Sequence, residues 1–206
     1  MNQITMTGMV LQTAPVGEYD RRVVILTKEQ GKISAFARGA RKPNSPLVGV
    51  VNPFTFGQFT LYAGRSSYTI QSVHVENYFS ELRDDIIAAY YGFYFMEYAM
   101  YFTKEANDER EMLKLLYQTL KALTNPNIPN RLIRYVFELK ALCINGQAPQ
   151  VFQCTCCGST GHSMVFSPRK GGLVCTECDG DVIDGMRLNN STLYTCLLYT
   201  SPSPRD

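Results

Sequence analysis

Two cysteine pairs, Cys154-x-x-Cys157 and Cys175-x-x-Cys178, constrain this chain more than any other feature, with seventeen residues between them. Two thiols flanking a tight turn can reach one ion together, and two such knuckles at this separation suit one tetrahedral zinc site. Gly158 and Gly180 leave room for backbone N–H groups to point at sulfur. Four thiolates fill the coordination shell of Zn2+, so the metal is expected to be structural and to offer no position for water or substrate. Two disulfides, or unrelated buried thiols, are the other use of the same residues. Cys156 lies inside the first knuckle, but only Cys154 and Cys157 have the two-residue interval.

A chain of 206 residues can bury a real core and hold more than one domain. Its composition, 45% hydrophobic and 18% charged, is that of a globular protein rather than a disordered one. The N-terminus alternates like a strand from Met1 to Thr13 and has no charged and apolar leader pattern, so export is not expected. Seven cysteines, four of them at metal spacing, fit a reducing cytosol better than a disulfide scaffold. The longest apolar run, Ile86 to Phe102, is short for a membrane span, contains Glu97 and carries five tyrosines; it reads as a buried helix.

The net charge of +2 is unevenly placed. Residues 1–78 hold eight Lys/Arg (Arg21, Arg22, Lys28, Lys32, Arg38, Arg41, Lys42, Arg65) against four acids (Glu18, Asp20, Glu29, Glu76), a balance of +4. Residues 79–150 and 151–206 are each −1. A polyanion-binding module shows such a local excess, and so does a solvated charged face.

Five β-rich runs come first: Thr5 to Thr13, Arg22 to Thr27, Lys32 to Arg38, Phe54 to Tyr62 and Tyr68 to Glu76. Turns are expected at Glu29-Gln30-Gly31 and at Ala63 to Ser67, with a Gly-, Pro-, Asn- and Ser-rich stretch from Gly39 to Pro53 between the third and fourth. Five strands in about 80 residues suggest a small closed barrel, an OB-fold, although an SH3-like barrel would give much the same string. The apolar period then becomes helical over Ile86 to Phe102, Met112 to Leu123 and Leu132 to Cys143. After the cysteine ribbon another helix begins near Met186, capped at Asn189, Asn190 or Ser191. The last eleven residues, Cys196 to Asp206, resemble the conceptual translation of a sequencing adapter, and no function is expected of them.

The run Lys32 to Arg38 carries the second chemical signal. Side chains two apart share a strand face, so Ile33, Ala35 and Ala37 point one way while Lys32, Ser34, Phe36 and Arg38 point the other. An aromatic ring between cations can stack a base while the cations meet phosphates; alternatively Phe36 packs beneath a neighbouring loop or helix. Gly39-Ala40-Arg41-Lys42 extends the positive surface. Catalytic constellations are thin: His74 and His162 have no Ser or Cys motif beside them, and no phosphate-cradling glycine loop precedes a helix.

A basic barrel, then helices, then a four-cysteine ribbon resembles the bacterial RecO family of recombination mediators. The likeness is carried by Met9 through Tyr19, Gly31 and Ala37-Arg38-Gly39-Ala40-Arg41-Lys42, by Phe137-Glu138-Leu139-Lys140 through Gly146-Gln147-Ala148-Pro149, and by Cys154 to Gly158 with Gly171-Gly172-Leu173-Val174-Cys175. The resemblance implies an α+β protein with an OB-fold barrel at 1–80, a helical domain at 81–150, a zinc ribbon at 151–186 inserted in the helical domain, and the start of a further helix at 187–195. It implies binding of single- and double-stranded DNA, annealing of complementary strands, and help, together with RecR, in loading RecA onto DNA coated with single-strand-binding protein. The implied protein is not an enzyme and works in the bacterial cytoplasm, on the nucleoid. Family DNA contacts carry over onto Lys32, Arg38, Arg41 and Lys42, and further onto Arg21, Arg22 and Arg65. Members usually continue with helices that receive the acidic tail of single-strand-binding protein, and this chain departs from them at its end.

Two other classes fit parts of the pattern. A metal-dependent enzyme acting on nucleic acid would use His162 with Asp179, Asp181 or Asp184 near the ribbon. An OB-fold and zinc-ribbon adaptor would instead offer the basic loop to an acidic peptide.

Overall fold

The structure is a computed structural model and describes residues 3–64, 67–160, 164–178, 180 and 182–200. Five strands, β1 (Gln3–Val16), β2 (Asp20–Thr27), β3 (Gly31–Ala37), β4 (Phe56–Ala63) and β5 (Tyr68–Asn77), close into a barrel in the order β1-β2-β3-β5-β4. The β3–β5 contact is parallel and the others are antiparallel, which is the OB arrangement. Inward side chains fill the barrel, among them Met6, Val10, Val23, Ile25, Ile33, Phe59, Leu61 and Ile70.

The first strand is longer than its alternation predicts because it has two partners. Its residues 3–9 pair with β4, whereas residues 8–16 pair with β2, with an irregularity between Val10 and Gln12. A strand shared this way must bend, and the irregularity increases the twist where the partners change over. Sequence periodicity alone cannot show a second ladder.

Three helices follow the barrel: α1 (Ile86–Phe102), α2 (Arg110–Leu123) and α3 (Asn130–Ile144), with a short 3-10 turn at Ser80–Arg83 before them. Asp85 caps α1, its Oδ1 accepting from the N–H groups of Ile87 (2.9 Å) and Ala88 (3.0 Å). The expected burial of α1 holds for one face only. Ala88, Gly92, Phe95, Met96 and Ala99 are buried, whereas Tyr90 is 70% and Tyr101 81% exposed.

The chain forms two compact units, residues 1–134 and 135–206. In the first, α1 and its following loop grip the barrel at the start of β3. Lys32 N–H donates to the Lys104 carbonyl (3.0 Å) and Ala106 N–H to that of Gln30 (3.0 Å). Gly31, at φ +63°, is required here, since a Cβ would stand 2.3 Å from the Lys104 oxygen. Further along, Phe54 adopts φ +72° and packs tilted against Phe93, ring centroids 4.7 Å apart, filling the notch that Gly92 leaves in α1.

In the second unit, β6 (Met164–Ser167) and β7 (Gly172–Cys175) form a hairpin, extended on one side by Gln150 and on the other by Met186. A last helix, α4 (Asn190–Thr200), is capped by Asn189, whose Oδ1 accepts from Thr192 N–H at 2.7 Å. It continues past the expected boundary at Thr195. No helix among the described residues is long and apolar enough to cross a membrane.

Candidate nucleic-acid interface and metal centre

The alternation read from β3 is present in the structure. Ile33, Ala35 and Ala37 are buried, while Lys32, Ser34 and Phe36 are half-buried on the outer face and Arg38 is exposed just beyond the strand. On the neighbouring strand Arg22 stands opposite Phe36, and its Nε donates to Ser34 Oγ at 2.9 Å. A guanidinium is thereby held beside an aromatic ring on one sheet face.

Arg21 and Arg22 are adjacent in sequence but divide between faces. Arg22 shares the outer face with Val24, whereas Arg21 follows the inward set of Val23 and Ile25 and donates from Nη1 to Asn52 Oδ1 at 2.7 Å. A two-residue period makes this separation unavoidable.

The loop after β3 folds back onto the β1–β2 turn. Gly39 N–H donates to Asp20 Oδ1 (2.7 Å), Arg41 N–H to the Tyr19 carbonyl (2.9 Å) and Arg41 Nη1 to the Gly17 carbonyl (3.2 Å). The Lys42 ammonium lies 5.2 Å from the Tyr19 ring centroid. Tyr19 is thus a further member of the basic surface, which residue type and position alone did not reveal. An aromatic in the β1–β2 turn of a five-stranded barrel was the available signal, because OB-folds bind oligonucleotides with the β2–β3 face and its flanking loops. A hydrogen bond with Glu18 raises the Tyr19 hydroxyl above its usual range and keeps it neutral.

Lys32 is engaged elsewhere. Its Nζ donates to the Met100 carbonyl in the last turn of α1, where a cation meets the negative end of the helix dipole. Arg65 lies outside the described residues.

In the second unit the sulfurs of Cys154, Cys157, Cys175 and Cys178 all lie within 4.8 Å of one another, and those of Cys157 and Cys175 are 3.6 Å apart. Metal–sulfur bonds of about 2.3 Å in a tetrahedron require sulfur separations of about 3.8 Å, so this cluster could hold a metal ion. The protonation pattern fits that role. Backbone N–H groups of Cys157 and Cys175 pull Cys154 down to about 6, with Cys156 N–H adding to them. Cys178 is pushed up to about 12 by its sulfur contacts, first with Cys175 and then with Cys157. At Cys157 the Ser159 N–H favours the thiolate, but contacts with Cys154 and Cys175 outweigh it and the net shift is upward. One thiolate forms readily and the full set needs a cation among the sulfurs. Val174, Met164, Val165 and Val182 pack around the cluster.

Asp184 was a candidate catalytic carboxylate, and the structure engages it in the hairpin. Its Oδ2 accepts from Arg169 N–H (2.8 Å) and its Oδ1 from the buried Ser167 hydroxyl (2.7 Å), which together hold its pKa below the ordinary carboxylate value. His162, Asp179 and Asp181 lie outside the described residues.

Comparison with known proteins matches both parts of the chain to one family. Residues 1–79 match the family described as recombination protein O N terminal, and residues 83–200 match recombination protein O C terminal. The chain is 35% identical over 187 residues to the DNA repair protein RecO of Alkaliphilus metalliredigens, covering 90% of this chain and 76% of that protein. It is 35% identical over 180 residues to the protein of the same name from Acetivibrio thermocellus, covering 86% and 71%. Against the Bacillus subtilis protein the identity is 32% over 171 residues, covering 83% and 67%.

Proposed function

The chain belongs to the RecO family of DNA repair proteins, and from that premise we propose that it is a non-enzymatic recombination mediator that binds single- and double-stranded DNA and anneals complementary strands. The observation that carries this reading is the joining of the β1–β2 turn to the loop after β3. It gathers Tyr19, Arg41 and Lys42 on the barrel that also bears Arg22, Phe36 and Arg38. Cations there neutralise phosphates, and aromatic rings offer stacking surfaces that do not depend on sequence.

Annealing requires little more. A surface that neutralises two phosphate backbones and leaves base edges free lowers the repulsion between strands and lets pairing proceed. RecR, and through it RecA loading on strands coated by single-strand-binding protein, are the implied partners, in the bacterial cytoplasm on the nucleoid.

The four cysteines are assigned to Zn2+ in a structural role. When bound, the ion supplies a closed cross-link, and the chain contributes the four sulfurs and the N–H groups that favour their anionic form. An enzyme acting through this centre would need an open position, which four sulfur ligands do not leave.

Fluorescence anisotropy of the full chain with labelled single strands and duplexes across a salt series tests the proposal. Binding to both, weakening linearly in log affinity against log salt, is expected. Absence of binding at low salt would overturn it.

A further inference from the structure

Next to the basic surface, the outer face of the barrel holds a groove of about 410 Å³. Ala14, Val24 and Met100 are among its apolar lining residues, and its polar ones include Gln12, Arg22 and Glu105. The volume is in the range of sites that take a small organic group, and the lining mixes apolar with polar and charged side chains.

Glu105 is the unexpected member. A carboxylate beside a phosphate-binding surface repels the ligand, so it weakens binding unless it meets a hydrogen-bond donor. Among the described residues no cation lies at ion-pair distance from it. The nearby Lys32 ammonium is given to the Met100 carbonyl. The backbone of Glu105 is nevertheless held in place, bridged to Gly31 at the start of β3, with hydrogen bonds from Lys32 to Lys104 and from Ala106 to Gln30 on either side. An acceptor-only group, its side chain exposed, is therefore carried on backbone anchored to the start of β3 and lines the groove.

We propose that this groove takes one unstacked nucleobase and reads its edge. Glu105 accepts from an exocyclic amino group, and the Gln12 amide donates to the adjacent ring nitrogen. Cytosine and adenine present that donor next to an acceptor, whereas thymine presents an acceptor next to a donor. Arg22, held by Ser34 at the groove and opposite Phe36, meets the phosphate of the same nucleotide. The inference rests on the DNA-binding reading above and adds to it a base preference confined to single strands, because a paired base has its edge occupied.

The test is anisotropy at pH 8 with fifteen-nucleotide oligo-dC and oligo-dT, on the full chain and on Glu105→Ala and Gln12→Ala variants. The unaltered chain is expected to bind oligo-dC about fivefold more tightly than oligo-dT, the size of one good base-edge contact. Glu105→Ala should strengthen binding to oligo-dT by removing a negative charge that meets no donor there, should not strengthen binding to oligo-dC, and should collapse the ratio to about one. A carboxylate acting only through its charge would leave the ratio unchanged. Equal affinity of the unaltered chain for both oligomers, or a ratio that survives Glu105→Ala, overturns the base-reading groove while leaving DNA binding intact. Failure to bind either oligomer overturns both readings.

Discussion

The Lys42 ammonium sits 5.2 Å from the centroid of the Tyr19 ring, joining two loops that are twenty-three positions apart in the chain. The contact is small in energy at an exposed site, about 0.5–1 kcal/mol. Its consequence is positional, because it sets a stacking ring and two cations on one surface of the barrel.

If that surface meets phosphates, replacing Arg38, Arg41 and Lys42 together by Ala should flatten the dependence of log affinity on log salt. The expected change is about 2 units for single strands and just under 3 for duplex. Anisotropy titrations at several salt concentrations measure it. An unaltered slope would falsify the assignment of these three residues.

Lys32→Ala should behave differently. Its amine serves the Met100 carbonyl, so the salt slope should stay as it is while stability falls by about 1–2 kcal/mol. Urea unfolding beside the anisotropy series separates the two effects. A slope reduced to the same extent as by Arg41→Ala would place Lys32 on the phosphates after all.

Tyr19→Ala should weaken binding of single strands by about 1–3 kcal/mol through lost stacking, with little effect on duplex, whose bases are already stacked. Tyr19→Phe should restore the affinity, since the ring and not the hydroxyl makes the contact. Equal losses on both forms of DNA would argue that the ring only supports the loop.

Gly92→Ala sets two effects against each other. Alanine favours a helix interior over glycine by about 1 kcal/mol, but the added Cβ would lie 2.9 Å from Phe54 Cε1 and 3.3 Å from Leu120 Cδ2. Overpacking costs about 1–3 kcal/mol, and Phe54, already at φ +72°, has little freedom to retreat. Net destabilisation of about 1 kcal/mol is expected in thermal or urea melts. A variant more stable than the parent would show that the notch is loose.

Metal retention should fall with acidity. Cys154, near 6, is a thiolate at neutral pH, whereas Cys157 and Cys178 are shifted upward and give up their protons only to a metal. Affinity therefore rises with pH across the neutral range and drops most steeply where Cys154 itself protonates, as pH falls through about 6. Zinc content after dialysis at stepped pH checks this. Chelation at pH 8 should expose the region around the knuckles to proteolysis before it alters DNA affinity; the reverse order would assign the ribbon to DNA contact.

What could be read without the structure is what repeats at short range. Ile33, Ala35 and Ala37 turn inward because a strand alternates every residue. Cys154, Cys157, Cys175 and Cys178 mark a cluster that could hold a metal ion, because each knuckle is a local turn. These geometries are properties of a few bonded neighbours, so sequence by itself determined them, and with them the strands, the helices and the cysteine knuckles.

Tertiary structure decided which groups each side chain meets. Lys32 and Arg41 are both cations on a strand or just after it, yet one ends at a helix carbonyl sixty-eight positions away and the other at the Gly17 carbonyl in the β1–β2 turn. Asp184, free in sequence to be a catalytic acid, is taken up by Ser167 and Arg169. β1 acquires two partners only when the barrel closes. The physical reason is common to all three: a hydrogen bond or ion contact forms with whatever group lies within about 3 Å, and barrel closure and chain reversal bring those groups together from distant positions.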